Sequence, residues 1–161
     1  MTTLPPAHTD SERQACEAVR RRLIGAWTLV SYTATSADGH VIHPLGPAPQ
    51  GLIVYTADGH MSAQLSRGDR PATGSERLED SPPEELARAA VTYVAYGGPF
   101  DVVDPTTVEH HVTTSLFPDW VGRPQVRKVT FDDTCLKLGL ATPVRMWGGY
   151  RTAELTWRKP Y

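Results

Sequence analysis

Leu23–Tyr32, LIGAWTLVSY, follows directly on Arg20, Arg21 and Arg22 and carries Gly25-Ala26-Trp27 at the point where the hydrophobic period changes. Upstream, Ala15, Val19 and Leu23 recur at helical spacing, and Ser11 with Gln14 three positions on predicts a capping box for a helix over 10–23. Downstream the period is two. TLVSYTATSADGHVIHP therefore reads as a strand of about ten residues, a turn at Asp38-Gly39 and a short second strand.

The next segment, GLIVYTADGHMSAQL, reads as a hairpin, because Asp58-Gly59 supplies the positive-φ residues of a two-residue turn. With 58–59 as the loop, Ala57 faces His60, Tyr55 faces Ser62 and Ile53 faces Gln64. One side then carries Leu52, Val54, Thr56, Met61, Ala63 and Leu65, and the other Ile53, Tyr55, Ala57, His60, Ser62 and Gln64. Either side is open to the core at this stage. If the mixed side faces in, Tyr55, His60 and Gln64 become candidates for ligand contact.

After a polar loop, Ser81 as N-cap, Pro82-Pro83, Glu84-Glu85 and a closing Gly97-Gly98 predict a helix over about residues 82–96. Its buried stripe is Leu86, Ala90, Tyr93 and Val94. Strands follow at 99–103, 106–115, 124–131, 134–140 and 150–158, separated by turns. Eight or nine short antiparallel strands with one inserted helix make an all-β domain over 10–161, a sandwich or a closed barrel, preceded by a disordered tail over 1–9.

The chain of 161 residues has the length of one domain and a formal charge of −2, with no basic face that would track phosphates. Nucleic acid is not an expected partner. The N-terminal segment lacks the apolar core of a secretion signal and no apolar run reaches bilayer length, so the expectation is a soluble, cytoplasmic protein with no membrane partner. Cys16 and Cys135 read as half-buried fillers. No glycine-rich phosphate loop, nucleophile elbow or metal-ligand spacing is present, so no cofactor and no metal is expected.

Two strands place polar groups on an apolar side. Val129, Phe131, Leu136, Leu138 and Leu140 share one parity and Lys128 and Lys137 the other, so Arg127 faces inward with the leucines. A guanidinium cannot shed its proton, and it needs a carboxylate, carbonyls, water or an anionic ligand group. In TTVEHHVTT, His110 lies inward with Val108 and Val112, and His111 outward. An inward imidazole is either a hydrogen-bonded core residue or an acid–base group. Aromatic loops add Phe117 and Trp120, Trp147 and Tyr150, and Tyr93 and Tyr96, as candidates for ligand contact, for packing or for a homodimer surface.

The segments LIGAWTLVSY, HPLGPAPQGLIVYTADGHMSAQL, HHVTTSLFPDWVG and QVRKVTF resemble, in this order, those of the bacterial lipocalin-like domain group. The resemblance covers about residues 23–158. It implies a closed antiparallel calycin β-barrel of 8–9 strands. In that family the glycine of Gly-x-Trp lets helix and strand meet tightly, and the indole plugs the closed end. It further implies that Trp27 is stacked by an arginine of the last strand, here Arg158. The lumen would enclose a small, largely apolar organic molecule. Two functions follow as expectations. One is a cofactor-free cyclase or isomerase of a biosynthetic intermediate, with His110, Arg127 and Tyr55 as catalytic groups. The other is a non-catalytic carrier that holds a carboxylate or lipid-like molecule. In both, His60, Gln64, Tyr93, Phe117, Trp120, Phe131, Leu138 and Trp147 are the expected ligand contacts.

Overall fold

A computed structural model describes residues 9–160. The tail expected over 1–9 lies outside the described residues except for Thr9, which is the N-cap of helix α1 (Asp10–Leu23). The Thr9 hydroxyl accepts from the Glu12 N–H at 3.2 Å, and the Glu12 carboxylate accepts from the Thr9 N–H at 2.8 Å. The capping box is thus Thr9/Glu12 and not Ser11/Gln14, the same residue pattern two positions earlier.

From Leu23 the chain turns through Gly25, whose φ of +120° suits glycine alone, into β1 (Gly25–Ser36). Trp27 is buried, and its indole N–H donates to the Leu23 carbonyl at 2.8 Å. That bond ties the helix end to the first strand. Lys159, rather than Arg158, is the cation over the indole, with Nζ 4.9 Å from the ring centroid. Arg158 is exposed because it alternates with the buried Trp157 at the end of the last strand.

The remaining strands are β2 (Val41–Ile42), β3 (Gln50–Tyr55), β4 (His60–Ser66), β5 (Tyr93–Asp104), β6 (Thr107–His111), β7 (Thr114–Ser115), β8 (Pro124–Phe131), β9 (Cys135–Leu140), β10 (Val144–Met146) and β11 (Gly149–Arg158). Antiparallel pairing runs β1–β3–β4–β5–β6–β8–β9–β11 and returns from β11 to β1, so eight strands close a barrel. The short β2, β7 and β10 extend its ends. Closure leaves no free sheet edge around the ring.

The β3–β4 hairpin differs from its expected register by one residue. Tyr55 pairs with Met61, Val54 with Ser62 and Ile53 with Ala63. The Thr56 N–H donates to the His60 carbonyl at 2.8 Å and the Gly59 N–H to the Thr56 carbonyl at 3.1 Å, with Gly59 at φ +91°. The loop therefore holds three residues, a turn followed by a left-handed glycine, and not the two-residue form that Asp-Gly suggests. The one-residue shift mixes the two predicted sides. Ile53, Tyr55, Met61, Ala63 and Leu65 face the core, while His60, Ser62, Gln64 and Leu52 are exposed.

The inserted helix is shorter than expected. Helix α2 spans Pro83–Val91 with Pro82 as N-cap, buries no residue fully, and gives way to β5 at Tyr93. Thr92-Tyr93-Val94 favours an extended chain, and pairing with β4 from Ser66 to His60 satisfies its backbone. Gly97 and Gly98 therefore lie inside a strand. A Cβ at Gly97 would meet the Met61 carbonyl oxygen at 2.9 Å, and one at Gly98 the His111 carbonyl oxygen at 2.0 Å. The two glycines allow neighbouring backbones to approach, a role different from helix termination.

Candidate functional site

At the end of the barrel away from Trp27 lies a cavity of about 600 Å³. Tyr32 from β1, Pro44 and Leu45 from the β2–β3 loop, Val94 from β5, Trp120, Leu140 from β9 and Leu155 from β11 supply a mostly apolar wall. Val91 at the end of α2 and Trp147 in the β10–β11 turn stand at its rim. The volume lies within the ~300–1,000 Å³ range of small-molecule sites.

Two charged groups belong to this wall, the half-buried Arg127 and the exposed Arg145. The β8–β9 register places Arg127 opposite Leu140, and on the other side it faces Val108 of β6. Its inward parity with Val129, as expected from the leucine stripe, holds. Nη1 donates to the Val126 carbonyl at 2.9 Å and Nη2 to Gln125 Oε1 at 3.1 Å. Among the described residues no carboxylate lies within ion-pair distance of it.

His110 is inward, as the alternation of β6 requires, and is 0% exposed. Its Nε2 lies 2.8 Å from the Tyr55 hydroxyl and its Nδ1 3.0 Å from the Tyr96 hydroxyl. Burial first, then the charges of Arg127 and His111, push its pKa down to about 3. The imidazole is therefore neutral at pH 7, with one donor and one acceptor nitrogen. One tyrosine hydroxyl donates to it and the other accepts from it. Burial also raises both phenols above their ordinary range, Tyr55 the more strongly, so both remain protonated. Tyr96 packs edge-on against Trp120 at 5.7 Å and so joins this network to the cavity wall.

The other expected site residues are spread over the barrel. Trp120 and Trp147 line the cavity with Arg127. Tyr55 and His110 form the layer beneath it. Leu138 is buried core, and Phe131 belongs to the closed base, 6.2 Å from the Trp27 ring with the Arg22 guanidinium 4.0 Å over it. His60, Gln64 and Tyr93 sit on the outer surface, where the Tyr93 hydroxyl donates to Gln64 and Arg70 covers the Tyr93 ring. Phe117 is half-exposed and packs edge-on against Trp120 at 5.8 Å. Tyr32, Leu45 and Leu155 carry no sequence signal for a ligand site, and Val94 reads in the sequence as part of a helix's buried stripe rather than of a strand. Cys16 and Cys135 are free thiols.

The sequence model of the lipocalin-like domain family matches residues 24–160. This chain belongs to that family. Among relatives, the lipocalin-like chain is 35% identical over 106 residues to the 4'-hydroxy-3'-methoxypropiophenone carrier protein ppsC of Aspergillus oryzae, a match covering 62% of this chain and 96% of the relative. Among solved structures, it is similar to a redesigned β-barrel at 14% identity and a TM-score of 0.41, over 88% of this chain and 95% of that one. No helix among the described residues of this lipocalin-like protein is long and apolar enough to cross a membrane.

Proposed function

We propose that this protein is a non-catalytic carrier of a small aromatic molecule, whose ring lies among Trp120, Leu45, Val94 and Leu155 and whose polar oxygen meets Arg127. The observation that carries this reading is the cavity itself: a mostly apolar wall that includes the Arg127 guanidinium, whose hydrogen-bond partners are neutral. Burial of a ring against such a wall supplies the affinity, and the guanidinium fixes the orientation. The relative named as an aryl ketone carrier supports the same class of molecule, an aromatic body with oxygen substituents.

The cyclase or isomerase reading gave His110 the proton-transfer step, and the geometry weighs against it. His110 does not line the cavity, both of its nitrogens are engaged by tyrosines, and its pKa of about 3 makes it a poor base at neutral pH. The tyrosine that lines the cavity is Tyr32, and burial raises its phenol above the ordinary range, so it faces a ligand as a neutral hydroxyl.

The test is titration with 4'-hydroxy-3'-methoxypropiophenone, followed by quenching of tryptophan fluorescence and by chromatography of the recovered ligand. Binding that weakens at least tenfold in Arg127→Met and in Trp120→Ala, with the ligand recovered unchanged, supports the carrier. Steady conversion of the ligand that is lost in His110→Gln would restore the enzyme.

A further inference from the structure

The cavity wall carries cations and no carboxylate: Arg127 and Arg145 line it, and neither aspartate nor glutamate does. A third arginine stands one step behind. Arg151 shares the inward side of β11 with Ala153 and Leu155, both wall residues. Across the β10–β11 hairpin it faces Val144, which is also in the wall. Its Nε and Nη1 are buried and make no hydrogen bond. Two unpaired donors on a permanent cation are costly in the empty protein. Opposite Arg151 on β1 is Ser36, and two residues beyond it lies the carboxylate of Asp38. It is exposed and accepts from the Ser36 hydroxyl and the His40 N–H, and it forms no ion pair with Arg151. Arg151 is thus flanked by wall residues both along its own strand and across the hairpin.

We propose that the cavity takes its ligand as an anion, an ionised oxygen acid on an aromatic body, with Arg127 as the first positive contact and Arg151 as a second one beside the β10–β11 hairpin. The inference rests on the carrier reading and adds to it a charge state and a residue. An ionised oxygen would satisfy the Arg151 donors that the protein alone leaves unpaired, and the low-dielectric wall strengthens both ion pairs. Tyr32 on β1 is the other titratable group in the wall, while Tyr96 on β5 packs against the wall residue Trp120 from behind and His110 on β6 bonds to Tyr96. Burial raises the two phenols and lowers the imidazole, so all three are neutral from pH 6 to 9. His43 beside Pro44 is exposed and serves as a control.

Three probes separate the outcomes: 4-hydroxypropiophenone, its methyl ether, which cannot ionise, and 4-propionylbenzoate, which carries a carboxylate in the same place. The phenol should bind at least tenfold more tightly above its own ionisation than below it, and its absorbance in the complex should be that of the phenolate at a pH where the free compound is neutral. The benzoate should bind across the range, and the ether should show no pH dependence. Arg151→Met should weaken the phenolate and the benzoate at least tenfold and the ether less than twofold. The same variant should raise the melting temperature of the empty protein, since it removes two buried donors that make no hydrogen bond, and His43→Gln should change none of this. Ether and phenol binding equally at every pH, or Arg151→Met leaving all affinities intact, overturns the inference and leaves the carrier reading standing. Failure of all three probes to bind overturns both.

Discussion

His110 Nε2 lies 2.8 Å from the hydroxyl of Tyr55, in a part of the barrel where His110 is 0% exposed. The burial of His110 has a consequence for stability that is separate from ligand binding. In the folded protein the imidazole titrates at about 3, and in the unfolded chain near its ordinary value of ~6.5. Below pH 6.5 the unfolded state binds a proton that the folded state refuses. Stability is therefore fully present above pH 6.5 and falls as the pH drops towards 3, by up to ~1.4 kcal/mol per pH unit from this group alone. Urea unfolding at pH 7, 6, 5 and 4 should show this slope in the wild type. In His110→Gln the slope should be shallower, whereas a titrating surface carboxylate as its source would leave the variant's slope unchanged.

Gly98 offers a test of where the inserted helix ends. Were Gly97-Gly98 a helix terminus, Gly98→Ala would cost only about 1 kcal/mol. Within β5, a Cβ there meets the His111 carbonyl oxygen at 2.0 Å, and the backbone of β6 must move to admit it. The expected cost exceeds ~2 kcal/mol by urea unfolding. A near-neutral Gly98→Ala would contradict the strand assignment.

The same segment shows how much of the molecule the sequence made legible. Alternation of large apolar residues with charged ones placed the inward side of β8 and β9 and of β6 correctly, because the two faces differ sharply there: Leu136 and Leu138 against Lys137, Val108 and His110 against Glu109. In β3 and β4 both faces hold apolar residues, so register depended on the loop, and a single left-handed glycine, Gly59, moved it by one residue. TYVAYGG was ambiguous for a different reason. Glycine pairs close helices, but they also admit neighbouring strands, and only the β4 and His111 backbones decide between these uses. Of the site, Arg127 and Trp120 were legible from parity and loop position. The Tyr96–His110–Tyr55 chain was not, because it joins residues distant in sequence whose contact depends on barrel closure.

Closure of the base can be tested at Trp27 and its two neighbouring cations. Trp27→Ala removes a buried indole and the Nε1 bond to the Leu23 carbonyl, and should cost ~3–5 kcal/mol. Lys159→Met should cost ~0.5 kcal/mol through loss of the contact over the ring. Arg158→Met, at an exposed position away from the ring, should cost measurably less than Lys159→Met. Thermal unfolding of the three variants checks the order. Equal effects of Lys159→Met and Arg158→Met would mean that the ring selects neither cation.

The β10–β11 turn shows a conflict between local conformation and the cavity. Met146 pairs with Gly149, so Trp147 and Gly148 form a two-residue turn with φ values of +49° and +82°. Turns of this kind favour asparagine or glycine at the first position, and a bulky aromatic there is strained by roughly 1–3 kcal/mol. Trp147 is also 59% exposed, so burial in the core does not account for an indole at this position. What it does contribute is contact surface at the rim of the cavity. Trp147→Asn should relieve the turn and raise the melting temperature by a few degrees, while weakening binding of an aromatic ligand by about three- to tenfold. Trp147→Phe should retain the strain and recover most of the affinity. The pair of variants separates turn strain from ligand contact, because a purely structural tryptophan would lose stability in Trp147→Asn and leave affinity unchanged.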